Sequence, residues 1–317
     1  MYYPYLRGKQ FELLALRELA NELAGDFRFV PIVEPVKMTF TGLTTAVSTM
    51  INKNLKFALV LNPNEGDFQF EKKDLLHEIA PLKDHRDAWL PAFIYQDSEN
   101  ENIEQIIDRY ELEHVMLVFG DYSIQERNLN VFHLLEKTQV EYVVVSEGDS
   151  RTLMRRLFHQ YPDKKFIRLD DNFNEAKRNA DYGQHTDERF TEEHLYYEDD
   201  HFYGFGDYTA LNKHFAEGGM LPYAIAIHLT YQQEDRVVYI HHFVSDTNDD
   251  RSNIQGKFIE AARKVELFYR DHEKTPAVEE ILHLIEEGRY PGLGFLKKLS
   301  IKNSIQLMNR ILKSSNL

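Results

Sequence analysis

The sequence predicts an α/β fold, a (β/α)8 TIM-like barrel, and three observations lead to it. Apolar runs of strand length alternate with amphipathic segments of helix length through residues 2–208. From the second run onward the strands recur roughly every 24 to 37 residues, close to the ~30 of one βα unit. Most of the runs also end on a carboxylate. Strands separated by helices pair in parallel through right-handed crossovers, and eight of them suit a closed barrel of about 250 residues plus insertions. An open doubly wound sheet is the architectural alternative.

Taken in order, residues 2–6 form the first strand. A helix follows over 10–23, with Leu13, Leu16, Leu19, Ala20 and Leu23 at helical spacing and Gly25 where a helix ends. Strand 29–33 closes with Glu34-Pro35, and 41–52 is helical. Residues 56–61 are almost wholly apolar, as a strand buried on both faces should be. Asn62-Pro63-Asn64 stops that strand, and 72–82 is its helix. Strand 89–95 ends in Gln96-Asp97, and strand 115–119 ends in Gly120-Asp121. Strand 142–145 ends in Ser146-Glu147, strand 165–169 in Asp170-Asp171, and strand 202–205 in Gly206-Asp207. Their helices fall at 102–110, 129–137 and 152–161, with a short one at 174–179 and a polar loop after it. The segment Phe205-Gly206-Asp207-Tyr208-Thr209 echoes Phe119-Gly120-Asp121-Tyr122-Ser123, as repeated βα units would.

After Tyr208 the rhythm changes. Residues 224–230 and 237–244 read as a β-hairpin inserted at about 222–245. Helix 254–268 is expected to serve as the eighth barrel helix, and helices 277–287 and 296–312 form an extension over about 275–317. Residues 1–317 are thus read as one domain. Gly204 and Gly206 mark places where another backbone comes close.

Hydrophobic residues make up 43% of the 317 and charged residues 28%, the composition of an ordinary globular chain. No window is long and apolar enough for a transmembrane helix, and Met1-Tyr2-Tyr3-Pro4-Tyr5 does not open a signal peptide. With zero cysteines there are no disulfides and no thiolate chemistry, which fits a reducing cytoplasm. A net charge of −15 argues against non-specific binding to nucleic acid, which depends on Lys and Arg neutralising phosphates. It favours solubility, a basic partner or an acidic, metal-holding pocket.

Active sites of barrels lie at the C-terminal ends of the strands. That rule selects Glu34, Asp121, Asp170 and Asp207 as catalytic acids. Of these, Glu34, Asp121 and Asp207 could hold Mg2+ or Mn2+ through hard oxygen ligands. Arg7 and Lys9 would hold an anionic substrate, with Asn62, Tyr95, Tyr208 and His228 around it. The simpler alternative is that each acid or amide caps the next helix. His228 and His242 share a face of the hairpin if its register has even parity, while His241 faces the other way. That pair suits a transition metal or proton transfer, although Tyr239 and Phe243 beside it also suit plain packing. His185 and His194 fall in the polar loop and read as solvated. The chain has no phosphate-binding loop, no G-x-G-x-x-G, no G-x-S-x-G and no H-E-x-x-H, so no nucleotide cofactor is expected.

Tyr3-Pro4-Tyr5-Leu6-Arg7-Gly8-Lys9-Gln10, Pro31-Ile32-Val33-Glu34-Pro35, Phe205-Gly206-Asp207-Tyr208 and Tyr223-Ala224-Ile225-Ala226-Ile227-His228-Leu229 together resemble the phage-type "beta protein" family and its bacterial relatives. The likeness runs in order through most of the chain. It implies a barrel-like α/β fold, a prophage or mobile-element setting and a part in antiviral defence, but it carries no established activity. Two functions are therefore expected. One is a divalent-metal-assisted, phosphodiesterase-like hydrolase of a small anionic substrate. The other is a non-catalytic adaptor barrel that docks a protein partner in a defence or toxin assembly.

Overall fold

In the computed structural model, which describes residues 1–96, 100–119, 129–146, 151–217 and 222–314, the parallel strands lie side by side in chain order. They are β1 (Tyr5–Leu6), β2 (Ile32–Val33), β3 (Phe57–Val60), β4 (Trp89–Ile94), β5 (Val115–Val118), β6 (Val140–Ser146), β7 (Lys165–Asp170) and β9 (Gly204–Asp207). Strand β8 (Asp187–Thr191) belongs to a different sheet. The helical segments between them are α1 (Gln10–Glu22), α2 (Thr41–Asn52), α3 (Leu75–Glu78), α4 (Pro81–Asp84), α5 (Asn100–Tyr110), α6 (Leu129–Glu136), α7 (Arg151–Gln160) and α8 (Glu193–Tyr196).

The ends of the eight-stranded sheet meet. Tyr2 bridges in parallel to Phe29 on one side and to Phe205 on the other, and the Tyr3 N–H donates to the Phe205 carbonyl at 2.8 Å. The result is the (β/α)8-type barrel that the alternation predicts, nearly closed by a short seam. Gly206 explains how the seam forms: a Cβ there would stand 2.1 Å from the carbonyl oxygen of Tyr3. The close approach expected at this glycine is therefore made by the first strand of the barrel itself.

Register decides which side chains share a face. Tyr5 pairs with Ile32, Ile32 with Ala58 and Ala58 with Leu90. Around the other side, Ala92 pairs with Met116, Met116 with Tyr142, Val144 with Ile167 and Ile167 with Gly204. Alternate residues of a strand share a face, so Glu34 and Asn62 belong with Gly204 and Gly206. Arg168, Asp170, Phe205 and Asp207 occupy the opposite face. That second face is the helix side, because Phe166, two residues before Arg168, meets Phe158 of α7 edge-on with centroids 5.0 Å apart.

The chain clusters into two compact units, and the barrel strands all fall in the first, made of Met1–Lys9, Ala20–Asp170 and Glu193–Asp207. The second comprises Gln10–Leu19, Asp171–Glu192 and Tyr208–Leu317. It is built on an antiparallel sheet in the order β10 (Ala226–Gln232), β11 (Val238–Val244), β8. The expected hairpin is present, and the polar stretch before Glu192 adds a third strand to it. Helices α9 (Ile254–Phe268), α10 (Pro276–Glu286) and α11 (Leu293–Ser314) complete the unit. Helix α9 starts where Asn253 caps the Gly256 N–H, and α10 starts at Pro276 with Thr275 as its cap. Ile225, Ile227, Leu229, Phe243, Phe258, Val265, Ile281 and Leu299 form one buried cluster. Helix α9, expected as the eighth barrel helix, falls in this second unit. Its apolar stripe is buried in this cluster, against β10, β11 and α10.

Helix α11 is buried on nearly every side, and several of the polar groups it carries inward are matched. Lys298 and Lys302 each reach Glu18 at 2.7 Å and also face Glu280. The Asn303 amide donates to the Thr230 carbonyl at 2.9 Å, while its oxygen accepts from Thr275 at 2.8 Å.

Two local expectations are corrected. The helix expected over 72–82 is broken into α3 and α4, because Asp74 caps a new turn through the Leu76 and His77 N–H groups and Pro81 can start a helix but not continue one. A 3-10 turn over Asn179–Gln184 takes the place of the short helix expected at 174–179.

Candidate functional site

At the strand ends of the barrel, the selected residues separate rather than converge. Glu34 is 1% exposed, and its Oε2 accepts from the Tyr5 hydroxyl at 2.8 Å and from Arg7 at 2.9 Å. Its Oε1 faces the Asn64 N–H at 3.4 Å. Burial pushes this carboxyl up, against the opposing pull of Arg7, Tyr5 and Asn64. Asp207, on the helix side, accepts from the Tyr2 hydroxyl at 2.6 Å. Asp170 stands beside it in register and is held by Arg168 at 2.9 Å, which also reaches Glu193 at 3.3 Å. Glu34 and the pair Asp170 and Asp207 therefore lie on opposite faces of the sheet. Asp121 lies outside the described residues.

The other selected residues are placed as follows. Asn62 commits its amide to the backbone of Ile94, donating to the carbonyl and accepting from the N–H at 2.8 Å each. Tyr95 is buried with its ring 4.9 Å from that of Phe119. Lys9 is half-buried, and Tyr208 is buried at the start of the second unit. Among the described residues no group of three or more His, Asp or Glu side chains is disposed to hold a metal ion. Glu34 suits one poorly, since an arginine and a phenol already occupy one of its oxygens.

The second unit brings its own groups together. His228 pairs directly with His242 across β10 and β11, and their Nδ1 atoms lie 2.7 Å apart. The register is the even-parity one that the sequence left open, and His241 faces the other side, where it approaches Asp187 at 3.3 Å. Behind His242, the Oε2 of Glu188 on β8 lies 3.6 Å from Nε2, and Asn174 donates to that same oxygen at 3.0 Å. Aromatic rings wall the pair: Tyr182 lies 4.6 Å from His228 and 4.7 Å from His242, and Phe173 lies 5.2 Å from His228.

His228 is half-buried and lines a cleft of about 430 Å3 together with Tyr182, Asn212, Leu296, Lys297 and Ser300. That volume lies within the ~300–1,000 Å3 typical of small-ligand sites. The order of groups selects a tautomer. His242 Nε2 makes no hydrogen bond among the described residues but faces the Glu188 carboxylate at 3.6 Å, an acceptor, which favours a neutral His242 with its proton on Nε2 and a lone pair on Nδ1. His228 must then donate from Nδ1, and Nε2 is the unprotonated nitrogen left for the cleft. The arrangement can take a proton from a bound molecule and pass charge toward a carboxylate.

Burial holds both imidazoles below their ordinary range. For His228 the neighbouring His242 and Lys297 add to it, and for His242 the Glu188 carboxylate opposes it. The sign of the pH effect follows. Above about pH 6.5 both rings are neutral folded and unfolded, so their contribution to stability is intact. As pH falls below that, the unfolded chain takes up protons that the folded chain refuses, and stability drops by up to about 1.4 kcal/mol per pH unit per histidine. Thermal melts should fall from pH 7 to pH 5.5, and H228Q/H242Q should flatten that slope. An unchanged slope in the double variant would locate the acid sensitivity elsewhere.

Sequence reasoning found His228 and His242 but missed Glu188, Tyr182 and Lys297. Glu188 left no signal in the sequence, since Asp187-Glu188-Arg189 is a polar run that neither alternates nor reads as a buried strand. Comparison with protein-family models, curated proteins and solved structures finds no match. Fold and site define the class: an α/β barrel chain whose second unit carries a histidine-lined cleft. No helix of the described residues is long and apolar enough to cross a membrane.

Proposed function

We propose that the protein is a hydrolase of a small anionic substrate, with its proton chemistry on His228 rather than on the acidic strand ends. The observation that carries this reading is the 2.7 Å contact between His228 and His242, backed by Glu188, on the wall of the cleft. In the reaction, His228 Nε2 takes a proton from a bound water, whose oxygen attacks the acyl or phosphoryl centre. The imidazolium so formed donates through Nδ1 to His242 while Glu188 offsets its charge, and it then returns the proton to the leaving group. Lys297 holds the substrate's anionic group. Phe173 and Tyr182 keep bulk water from the relay.

The reading is tested on a panel of small phosphomonoesters, phosphodiesters and carboxylate esters, with wild type against H228Q. Turnover by the wild type and its loss in the variant supports the proposal. Wild-type inactivity across the panel overturns it in favour of the non-catalytic adaptor. The metal-assisted form belongs to the same proposal: stimulation by Mg2+ or Mn2+ that disappears in D121N would place an ion in the reaction. The setting in antiviral defence rests on the family resemblance, and is tested by plaque counts on cells expressing wild type or H228Q.

A further inference from the structure

A second cleft, of about 260 Å3, lies in the barrel unit, apart from the groups just described. Its origin is the broken helix after β3. Where a continuous helix would pack along α5, the chain makes only the short turns α3 and α4. The α5 face carrying Asn102, Ile106, Arg109 and Tyr110 is left lining a groove. The floor is apolar, from Leu61, Phe68, Leu75, Leu76 and Ile106.

The rim is cationic: Lys72, Lys73 and Arg109 all line the same opening, in a chain of net charge −15. Arg109 forms no ion pair among the described residues, and its guanidinium lies 5.2 Å from the centroid of the Tyr110 ring. Among the described residues Lys73 pairs with Glu71, at 3.8 Å and on the surface. Among the described residues the one acid lining the cleft, Asp74, is already engaged: it accepts from the Leu76 and His77 N–H groups and from the Tyr110 hydroxyl. Lys73 and Arg109 therefore stand at an opening whose described acid, Asp74, is engaged by three donors of the protein itself.

We propose that this cleft binds a small amphiphilic anion, a body of about one aromatic ring bearing a phosphate. The apolar floor takes the ring, and Arg109 with Lys73 takes the phosphate through charge-assisted hydrogen bonds. The volume falls just below the ~300 Å3 at which drug-sized sites begin, which sets the ligand's size.

Calorimetric titration of the whole protein with phenyl phosphate, inorganic phosphate and benzyl alcohol tests the site. Phenyl phosphate should bind at least about tenfold tighter than either half-ligand, since each half supplies only one of the two contacts. The substitution K73E/R109E, at exposed positions, should weaken it by tenfold or more. K53E makes the same kind of charge change away from the cleft and should leave it unaltered. Benzoate in place of phenyl phosphate distinguishes a phosphate site from a general anion site. No binding of phenyl phosphate, equal binding of inorganic phosphate, or equal loss in K53E and K73E/R109E would each overturn the assignment. Repeated on H228Q, in which the proposed hydrolysis of a phosphomonoester is lost, the titration should still show phenyl phosphate binding that K73E/R109E removes, which keeps this result separate from the hydrolase reading.

Discussion

Gly206→Ala is expected to cost the barrel unit ~3 kcal/mol or more, a large share of the 5–15 kcal/mol that holds an ordinary domain folded. The added methyl would sit 2.1 Å from the Tyr3 carbonyl oxygen. That oxygen belongs to backbone in the seam, where the Tyr3 N–H is committed to Phe205, so it cannot swing aside as a side chain would. Relief requires the first and last strands to part, and that exposes Tyr2, Tyr3 and Phe205, all now buried. Gly204→Ala meets mainly the Tyr3 ring, at 2.5 Å, and the Met1 carbonyl, at 2.8 Å, so part of its strain can be relieved by side-chain movement. Gly183→Ala meets nothing within 4 Å. Urea melts followed by circular dichroism should therefore rank the three variants G206A, G204A and G183A, from most damaged to nearly normal. A G206A protein as stable as the wild type would show that the barrel is not closed at Tyr3.

The barrel was legible for a physical reason. Strands buried on both faces are continuous apolar runs, as in Phe57–Val60, and need no partner to be recognised. Strand β8 fails that test. Its Asp187, Glu188 and Arg189 are polar, and it exists because β11 supplies hydrogen bonds from some fifty residues away along the chain. The helix expected over 72–82 had the right apolar spacing, but local chemistry at Asp74 and Pro81 overrode it.

The acidic strand ends show a subtler limit. Their height on the barrel could be read from where each apolar run stops. Which face each acid takes depends on parity, and parity is set by a register that the sequence does not display. Glu34 and Asp207 both end strands, yet one shares its face with Gly206 and the other with Phe205. The histidine pair was readable only as one of two registers of a hairpin, and the pairing of the strands decides between them. Its third member sits on a strand that entered the sheet from elsewhere.

That third member is also where the relay can be tested most sharply. Glu188→Gln is expected to lower turnover on the substrate found for the protein by roughly ten- to a hundredfold, at or below the ~100- to 10,000-fold of a general base itself, because Glu188 acts through His242. The KM should change little, because Glu188 stands behind His242 and does not line the cleft. The glutamine keeps the volume and the acceptor oxygen but removes the negative charge that raises the His242 pKa and offsets the imidazolium. Without that charge the histidines protonate less readily, so the acidic limb of the rate profile should move to lower pH. His242→Phe removes the acceptor for His228 Nδ1 as well. It frees His228 to adopt either tautomer, and the loss should reach ~100-fold or beyond. A merely structural Glu188 would behave differently: E188Q would lower the melting temperature, leave the limb of the pH profile where it was, and reduce activity only in proportion to unfolded protein. Together, a shifted acidic limb and an unaltered KM would show that His228 and His242 act as one proton-accepting unit whose strength is set from β8.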